Sequence, residues 1–247
     1  MTDWKENIYF ILIEPQEPGN IGASARAIKN MGFKNLCLVK PPAVITDEAR
    51  WLARNALDVL GSAETFDTLS DAVKDKSIVI GTTRRKGKRR GVIMPVDHGV
   101  KNIYEIAAKN KVAILFGRES RGLFNEEVDE CGFLLSIPSS KDQPSLNLAQ
   151  AVLIVSYELS KAEYNEKKTE RKSAELVRHE DIVALYSRMA ETLKKLEYIP
   201  RGDRDLEKKI MHNLKHFIGR AGLTDWELNM LHGICSQIDK KITGKKI

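Results

Sequence analysis

The chain has 247 residues, 42% of them apolar, and a formal net charge of +6. That length suits one large domain or a medium domain with an appendage, and the apolar share suffices for a proper core. No run of about eighteen apolar residues occurs, so no transmembrane helix is expected, and the acidic start MTDWKENIYF does not read as a signal peptide.

In chain order, Ile8 to Ile13 is an uninterrupted apolar run, the pattern of a strand buried on both faces of a parallel sheet. Glu14 to Gly19, with two prolines, is expected to be non-helical. A helix follows over Asn20–Met31, stopped by Gly32. Asn35–Val39 reads as a second strand, Asp47–Leu60 as a helix stopped by Gly61, Asp67–Lys74 as a short helix and Ser77–Gly81 as a third strand. Helix 102–110, strand Val112–Phe116, helix Phe124–Glu130 and strand Phe133–Ile137 complete the series. Strands alternating with helices imply an α/β fold with a mainly parallel sheet.

After the fifth strand, Pro138 opens a polar loop. A helix is expected to start near Ser145, whose hydroxyl suits an N-cap. From Leu146 to Leu159 that helix is apolar on nearly every face, which predicts burial on all sides. Ser145, Asn147 and Gln150 in its first turn need partners, either nearby backbone or a bound ligand. After Tyr164 the composition changes. Asn165 to Lys172 is charged and reads as a linker or exposed helix end, and three amphipathic helical patterns follow near Glu175–Glu197, Arg204–Arg220 and Thr224–Ile242. Thr224 and Glu227 have the spacing of a capping box. The division expected is therefore 1–164 and 165–247, the second part all-helical.

From Asn165 onward 18 Lys+Arg face 13 Asp+Glu, so five of the six net positive charges sit in the last third. A basic appendage suggests a polyanion partner, although an ordinary solvated helical surface accounts for the charge equally well. Cys37, Cys131 and Cys235 are odd in number and widely spaced, which fits reduced thiols of a cytoplasmic protein. The five histidines are scattered and no His/Cys/Asp cluster shows metal-ligand spacing, so no metal is expected.

In α/β sheets ligands bind where strands end. Four such places carry informative polar residues: Asn20 to Arg26, Gly81-Thr82-Thr83 with the basic run Arg84–Arg90, Gly117 to Leu123, and Ser145 to Gln150. Each has a plainer reading: Asn20 as a helix cap, Arg26 as a surface arginine, Gly117 and Gly122 as turn residues, the basic run as an exposed loop. Their recurrence at successive strand ends favours one shared pocket. No G-x-G-x-x-G follows a strand and no G-K-[ST] occurs, which argues against dinucleotide and ATP sites of the usual kinds.

These residues carry a resemblance. Asn20-Ile21-Gly22-x-x-x-Arg26, then Leu115-Phe116-Gly117-Arg118-Glu119-x-x-Gly122-Leu123 with Asn125-Glu126-Glu127, then Ile137-Pro138 with Ser145-Leu146-Asn147-Leu148-Ala149, resemble the three ordered motifs of the SpoU (TrmH-like) branch of the SPOUT RNA methyltransferases. The start Glu14 to Gly22 and the helical tail, including Arg220 to Thr224 with Glu227, look most like the tRNA (cytidine/uridine-32-2′-O)-methyltransferases. Pro144 stands where some relatives carry a second serine.

The resemblance implies an α/β domain with a C-terminal trefoil knot, S-adenosylmethionine held in the knotted loops, and a cytoplasmic homodimer whose partner subunit completes the site. Thr82, Thr83, Arg84, Gly117, Ile137, Ser145 and Leu146 match the cofactor positions. Asn20, Arg26, Glu119, Ser145 and Asn147 match the positions tied to catalysis. The implied reaction is S-adenosylmethionine-dependent 2′-O-ribose methylation of tRNA at anticodon-loop nucleotide 32, C or U, with another tRNA nucleotide or an rRNA nucleotide as the alternative. A guanidinium stays protonated at neutral pH, so Arg26 suits a phosphate clamp and oxyanion stabiliser rather than the base, with proton removal left to water or a neighbouring group. Glu119 suits ordering the loop, with a pairing to Arg26 or a backbone amide as the simpler alternative. Arg84, Arg85, Lys86, Lys88, Arg89 and Arg90 suit RNA phosphate contacts. Two readings outside this class remain: a non-catalytic RNA-binding module or chaperone, and an α/β enzyme acting on a small molecule.

Overall fold

The computed structural model describes residues 3–42, 46–85, 87, 90–165, 173–200 and 204–244. After a 3-10 turn at Trp4–Asn7 come β1 (Ile8–Ile13), α1 (Pro18–Asn30), β2 (Asn35–Val39) and α2 (Asp47–Ala53). A 3-10 turn at Arg54–Ala56 leads to α3 (Leu57–Gly61), β3 (Glu64–Phe66), α4 (Leu69–Val73) and β4 (Ile78–Thr82). Then follow β5 (Ile93–Pro95), α5 (Val96–Ala107), β6 (Val112–Phe116), α6 (Asn125–Asp129), β7 (Phe133–Ser136) and α7 (Leu148–Asn165). The last three helices are α8 (His179–Lys195), α9 (Arg204–Gly219) and α10 (Asp225–Gly244).

Among the described residues the strands form one parallel sheet in the order β3-β2-β1-β6-β4-β7-β5. The apolar runs occupy its centre: every residue of β6 is buried, and in β1 only Tyr9 is partly exposed. Alternate residues serve opposite faces. Phe10, Leu12, Ile80, Ile114, Phe116 and Leu135 join the larger core under α1, α5 and α7, while Ile11, Ile13, Val79, Leu115 and Leu134 pack under α4 and α6. No helix among the described residues is long and apolar enough to cross a membrane. The three cysteines are buried free thiols, and burial pushes Cys37 up to about 12.

Several boundaries differ from the expectation. Helix α1 takes in Pro18 and Gly19, because a proline in the first turn lacks an N–H that would go unpaired there anyway. The long helix over 47–60 is broken at Arg54, whose φ is +50°. The edge strands β3 and β5 have three residues each, too short for a periodicity signal, and Pro95 ends β5 at the sheet's edge. Helix α7 is not buried all round: Val152, Val155 and Leu159 face the core, whereas Leu153 and Tyr157 are 40% and 49% exposed.

The C-terminal helices carry their own small core of Ile182, Leu185, Tyr186, Ile218 and Leu223. The Thr224–Glu227 capping box is present: the Thr224 amide donates to the Glu227 carboxylate at 2.8 Å and the Glu227 amide to the Thr224 hydroxyl at 3.4 Å. This unit docks on the α4/α6 side of the sheet. The His179 amide donates to the Lys76 carbonyl at 2.7 Å, and Glu130 meets His179 at 3.0 Å and Lys215 at 2.7 Å. Burial pushes the Glu130 carboxyl up, but His179 and Lys215 outweigh it and hold it down at about 2. The backbones of Gly132 and Gly219 touch; a Cβ on Gly132 would lie 1.8 Å from the Gly219 carbonyl oxygen. The seam also gathers Asp129, His212 and His216, a grouping that overturns the reading of the histidines as scattered.

Candidate active site

Strands β6, β4 and β7 are neighbours in the sheet, so the loops leaving their C-terminal ends must converge. They enclose an open cleft with about 850 Å³ of empty space, its mouth included. Thr82, Thr83 and Arg84 line it after β4, Gly117 after β6, and Ile137, Ser145 and Leu146 after β7. All seven residues matched to the cofactor are therefore brought together. Leu123, Leu135, Leu148 and Ala151 add apolar wall.

The loop after β6 doubles back on itself. Arg118 and Gly122 form a β-bridge, with the Gly122 amide donating to the Arg118 carbonyl at 2.7 Å. Gly122 has φ +65°, and a Cβ on Gly117 would lie 2.1 Å from the Gly122 carbonyl carbon, so the turn requires both glycines. Arg118 anchors the loop from below. Its guanidinium donates to both oxygens of Glu127 at 2.9 and 3.0 Å and to Glu14 at 2.8 Å, and stacks 3.9 Å over the Phe124 ring. These bonds raise the Arg118 pKa and lower that of Glu14. Such bidentate pairs fix geometry as well as adding stability.

One hydrogen-bonded chain ties three of these loops together. Glu119 accepts from the Gln16 amide at 3.0 Å, the Glu17 amide at 3.3 Å and the Asn20 side-chain amide at 2.9 Å. Asn20 Oδ1 in turn accepts from Asn147 Nδ2 at 2.8 Å. Burial pushes the Glu119 carboxyl up, but these donors prevail and hold it below the usual value, so it is ionised at neutral pH. Glu119 thus binds Asn20 and backbone amides rather than Arg26. Asn20 sits at the third position of α1, so it is not the cap of that helix.

Asn147, not Ser145, caps α7: its Oδ1 accepts from the Ala149 amide at 2.8 Å. Ser145 lies exposed in the preceding loop, free of the helix. Within the basic run, Arg84 and Arg85 are exposed at the cleft. Arg90 departs from the expected exposed loop. It is 8% exposed and donates to the Thr83 hydroxyl at 3.0 Å and the Leu123 carbonyl at 3.3 Å, which makes it part of the cleft wall. Lys86, Lys88 and Arg89 lie outside the described residues. Arg26 is exposed on α1 and does not line the cleft of its own chain, contrary to the expectation of one pocket holding both.

The profile of the SpoU rRNA methylase family matches residues 7–157. The chain belongs to that family. A second profile, that of the C-terminal domain of the tRNA methyltransferase TrmJ, matches residues 180–247. The tRNA (cytidine/uridine-2′-O-)-methyltransferase TrmJ of Citrobacter koseri is 34% identical over 245 residues, spanning 97% of this chain and 99% of that protein. The crystal structure of TrmJ from Z. mobilis ZM4 superposes with a TM-score of 0.78 at 30% identity, covering 94% of this chain and 98% of that one. A probable methylase family protein from Haemophilus influenzae Rd KW20 gives 0.63 at 35% identity, covering 98% and 100%. As a SpoU enzyme the chain is an RNA methyltransferase. Arg118, Glu127 and Glu14 all lie in the segments that carry the resemblance, but their pairing into one clamp was not anticipated, because Glu14 comes 104 residues before Arg118.

Proposed function

We propose that the enzyme transfers the methyl group of S-adenosylmethionine to a ribose 2′-oxygen of tRNA, at nucleotide 32 of the anticodon loop, with C or U as base. The observation that carries this reading is the cleft itself: seven residues from three strand ends line it, and the Glu119–Asn20–Asn147 chain holds its loops in register. The names of the relatives support tRNA and the 2′-oxygen.

The donor set suits the cofactor. Leu123, Leu135, Ile137 and Leu148 offer an apolar wall for an adenine, and the exposed Arg84 suits a carboxylate. When bound, S-adenosylmethionine supplies an electrophilic methyl group on a sulfonium. The chain's own residues must then place the hydroxyl and stabilise the negative charge that builds on its oxygen. Arg26 suits that task as a fixed cation. Because it lies outside its own chain's cleft, the reading places it at the cleft of a partner subunit in a homodimer, with the exposed Leu153 and Tyr157 of α7 in the interface. Glu119, Asn20 and Asn147 act by positioning the loops, and Ser145 by lining the cleft beside the reacting atoms.

On this reading residues 1–164 form a methyltransferase domain with a trefoil knot, and residues 165–247 a basic helical extension. Arg84 and Arg85, with Lys86, Lys88 and Arg89, supply phosphate contacts. The enzyme works in the cytoplasm and its methyl transfer needs no metal.

Labelled methyl transfer to bulk tRNA and rRNA, followed by mapping of the modified ribose, tests the proposal. Label on the 2′-oxygen of tRNA nucleotide 32 is expected. Label confined to rRNA or to another tRNA position rejects the assignment, and no heat of S-adenosylmethionine binding rejects the enzyme reading altogether. Arg26→Ala should keep cofactor affinity and lose most turnover; unchanged turnover removes Arg26 from the mechanism.

A further inference from the structure

The seam between the C-terminal helices and the sheet holds chemistry that methyl transfer does not use. His212 and His216 are four residues apart on α9, which places both rings on one helix face. Their centroids are 4.4 Å apart at 80°. Asp129, the last residue of α6, faces them, its carboxylate 2.8 Å from His212 Nδ1. One ligand atom from each of the three lies within 4.8 Å of the others.

Packing alone does not account for His216. It is only 6% exposed, and neither ring nitrogen has a hydrogen-bond partner of acceptable geometry. A buried polar group left unpaired is costly, so such a residue is expected to have a partner.

We propose that Asp129, His212 and His216 bind a divalent transition-metal ion of the zinc class, which pins α9 to the methyltransferase core. Two imidazoles, which are borderline ligands, with one carboxylate suit zinc and its neighbours rather than magnesium or calcium. Ligands at about 2.0–2.2 Å around a tetrahedral ion sit ~3.3 Å from one another. Water takes the fourth position. The neighbouring Lys215 is neutralised by Glu130 at 2.7 Å, so the carboxylate of Asp129 remains available to the ion.

The location gives the ion a task. The His216 ring lies against Gly91, where a Cβ would come within 2.5 Å of its Cε1 atom. Gly91 follows Arg90, which holds Thr83 in the cleft wall. The ion therefore joins the end of α6 to the C-terminal extension, beside the root of the basic loop.

The test uses the full-length, tag-free protein, stripped with EDTA and desalted. Zinc chloride should bind with one equivalent by calorimetry and raise the thermal unfolding midpoint in a concentration-dependent way. Cobalt chloride should give the visible bands of a tetrahedral site with no thiolate charge-transfer band. His216→Ala leaves a cavity and can fail to fold, so His212→Ala and Asp129→Asn carry the test. Each should keep the native circular dichroism and weaken zinc binding at least ~10-fold. Failure to bind zinc, equal stabilisation by magnesium, a thiolate band, or full zinc affinity in both variants would each overturn the proposal. None of these readouts depends on methyl transfer.

Discussion

The cleft at the strand ends and the seam beneath the C-terminal helices both lie against one sheet, yet they are built differently. The cleft is made of loops that each follow a strand and close on themselves: Gly117 against Gly122, Arg118 over Phe124, Asn147 on its own helix. Among the described residues the seam has no such closed turns and is made of single side chains from separate segments. Asn110 accepts from the Leu176 amide 66 residues away, and Glu130 meets His179 and Lys215 at separations of 49 and 85. A site assembled from local turns leaves compact motifs, whereas a docking surface leaves isolated side chains. The two should therefore fail separately.

Gly117→Ala should have the largest effect. The new Cβ meets backbone rather than a flexible side chain, so about 1–3 kcal/mol of stability is lost and calorimetry should detect no S-adenosylmethionine binding. Retained affinity would show that the turn can be rebuilt. Gly132→Ala should do the opposite: it separates α9 from the sheet, lowering tRNA affinity while cofactor affinity stays within a factor of about two, as expected for independent sites. Parallel loss of both would dissolve the distinction between the regions.

Asn147→Ala removes a cap and should cost about 0.5–2 kcal/mol in denaturant unfolding. Asn147→Ser can restore the cap but not the Asn20 contact, so stability should return while turnover stays low. Recovery of turnover with stability would reduce Asn147 to a cap. The smallest effect is a pH dependence of the seam. Glu130 is held near 2, below its ordinary 4.5. A depressed carboxyl stabilises the fold above the unfolded value, and this contribution fades as pH falls from about 4.5 through about 2. Wild type should melt higher than Glu130→Gln near neutrality, by ~2–4 °C for each kcal/mol, and the two should converge in acid. A constant gap would mean that the charge of Glu130 does not matter.

Much of this was legible in advance. The central strands were found from apolar runs, because strands buried on both faces tolerate little else. The four strand-end segments were found because each packs its informative residues within a few positions. The α7 cap was misplaced by two residues, since Ser145 and Asn147 are equally plausible caps until the path of the loop is known. Arg90 was read as exposed because density of charge in sequence does not reveal which cation turns inward. The ring pair on α9 was overlooked because its third partner, Asp129, lies 83 residues from His212.

What the sequence alone determined was the alternation of strands and helices, the order of the motifs and the basic character of the tail, all of which follow from local composition and short-range spacing. Only the tertiary structure decided that Arg26 stands outside its own cleft, that Glu119 reaches Asn20 and Asn147, and that α6 and α9 meet at three potential metal ligands. Those facts depend on which distant surfaces come into contact, and long-range contacts of that kind leave no periodicity in the chain.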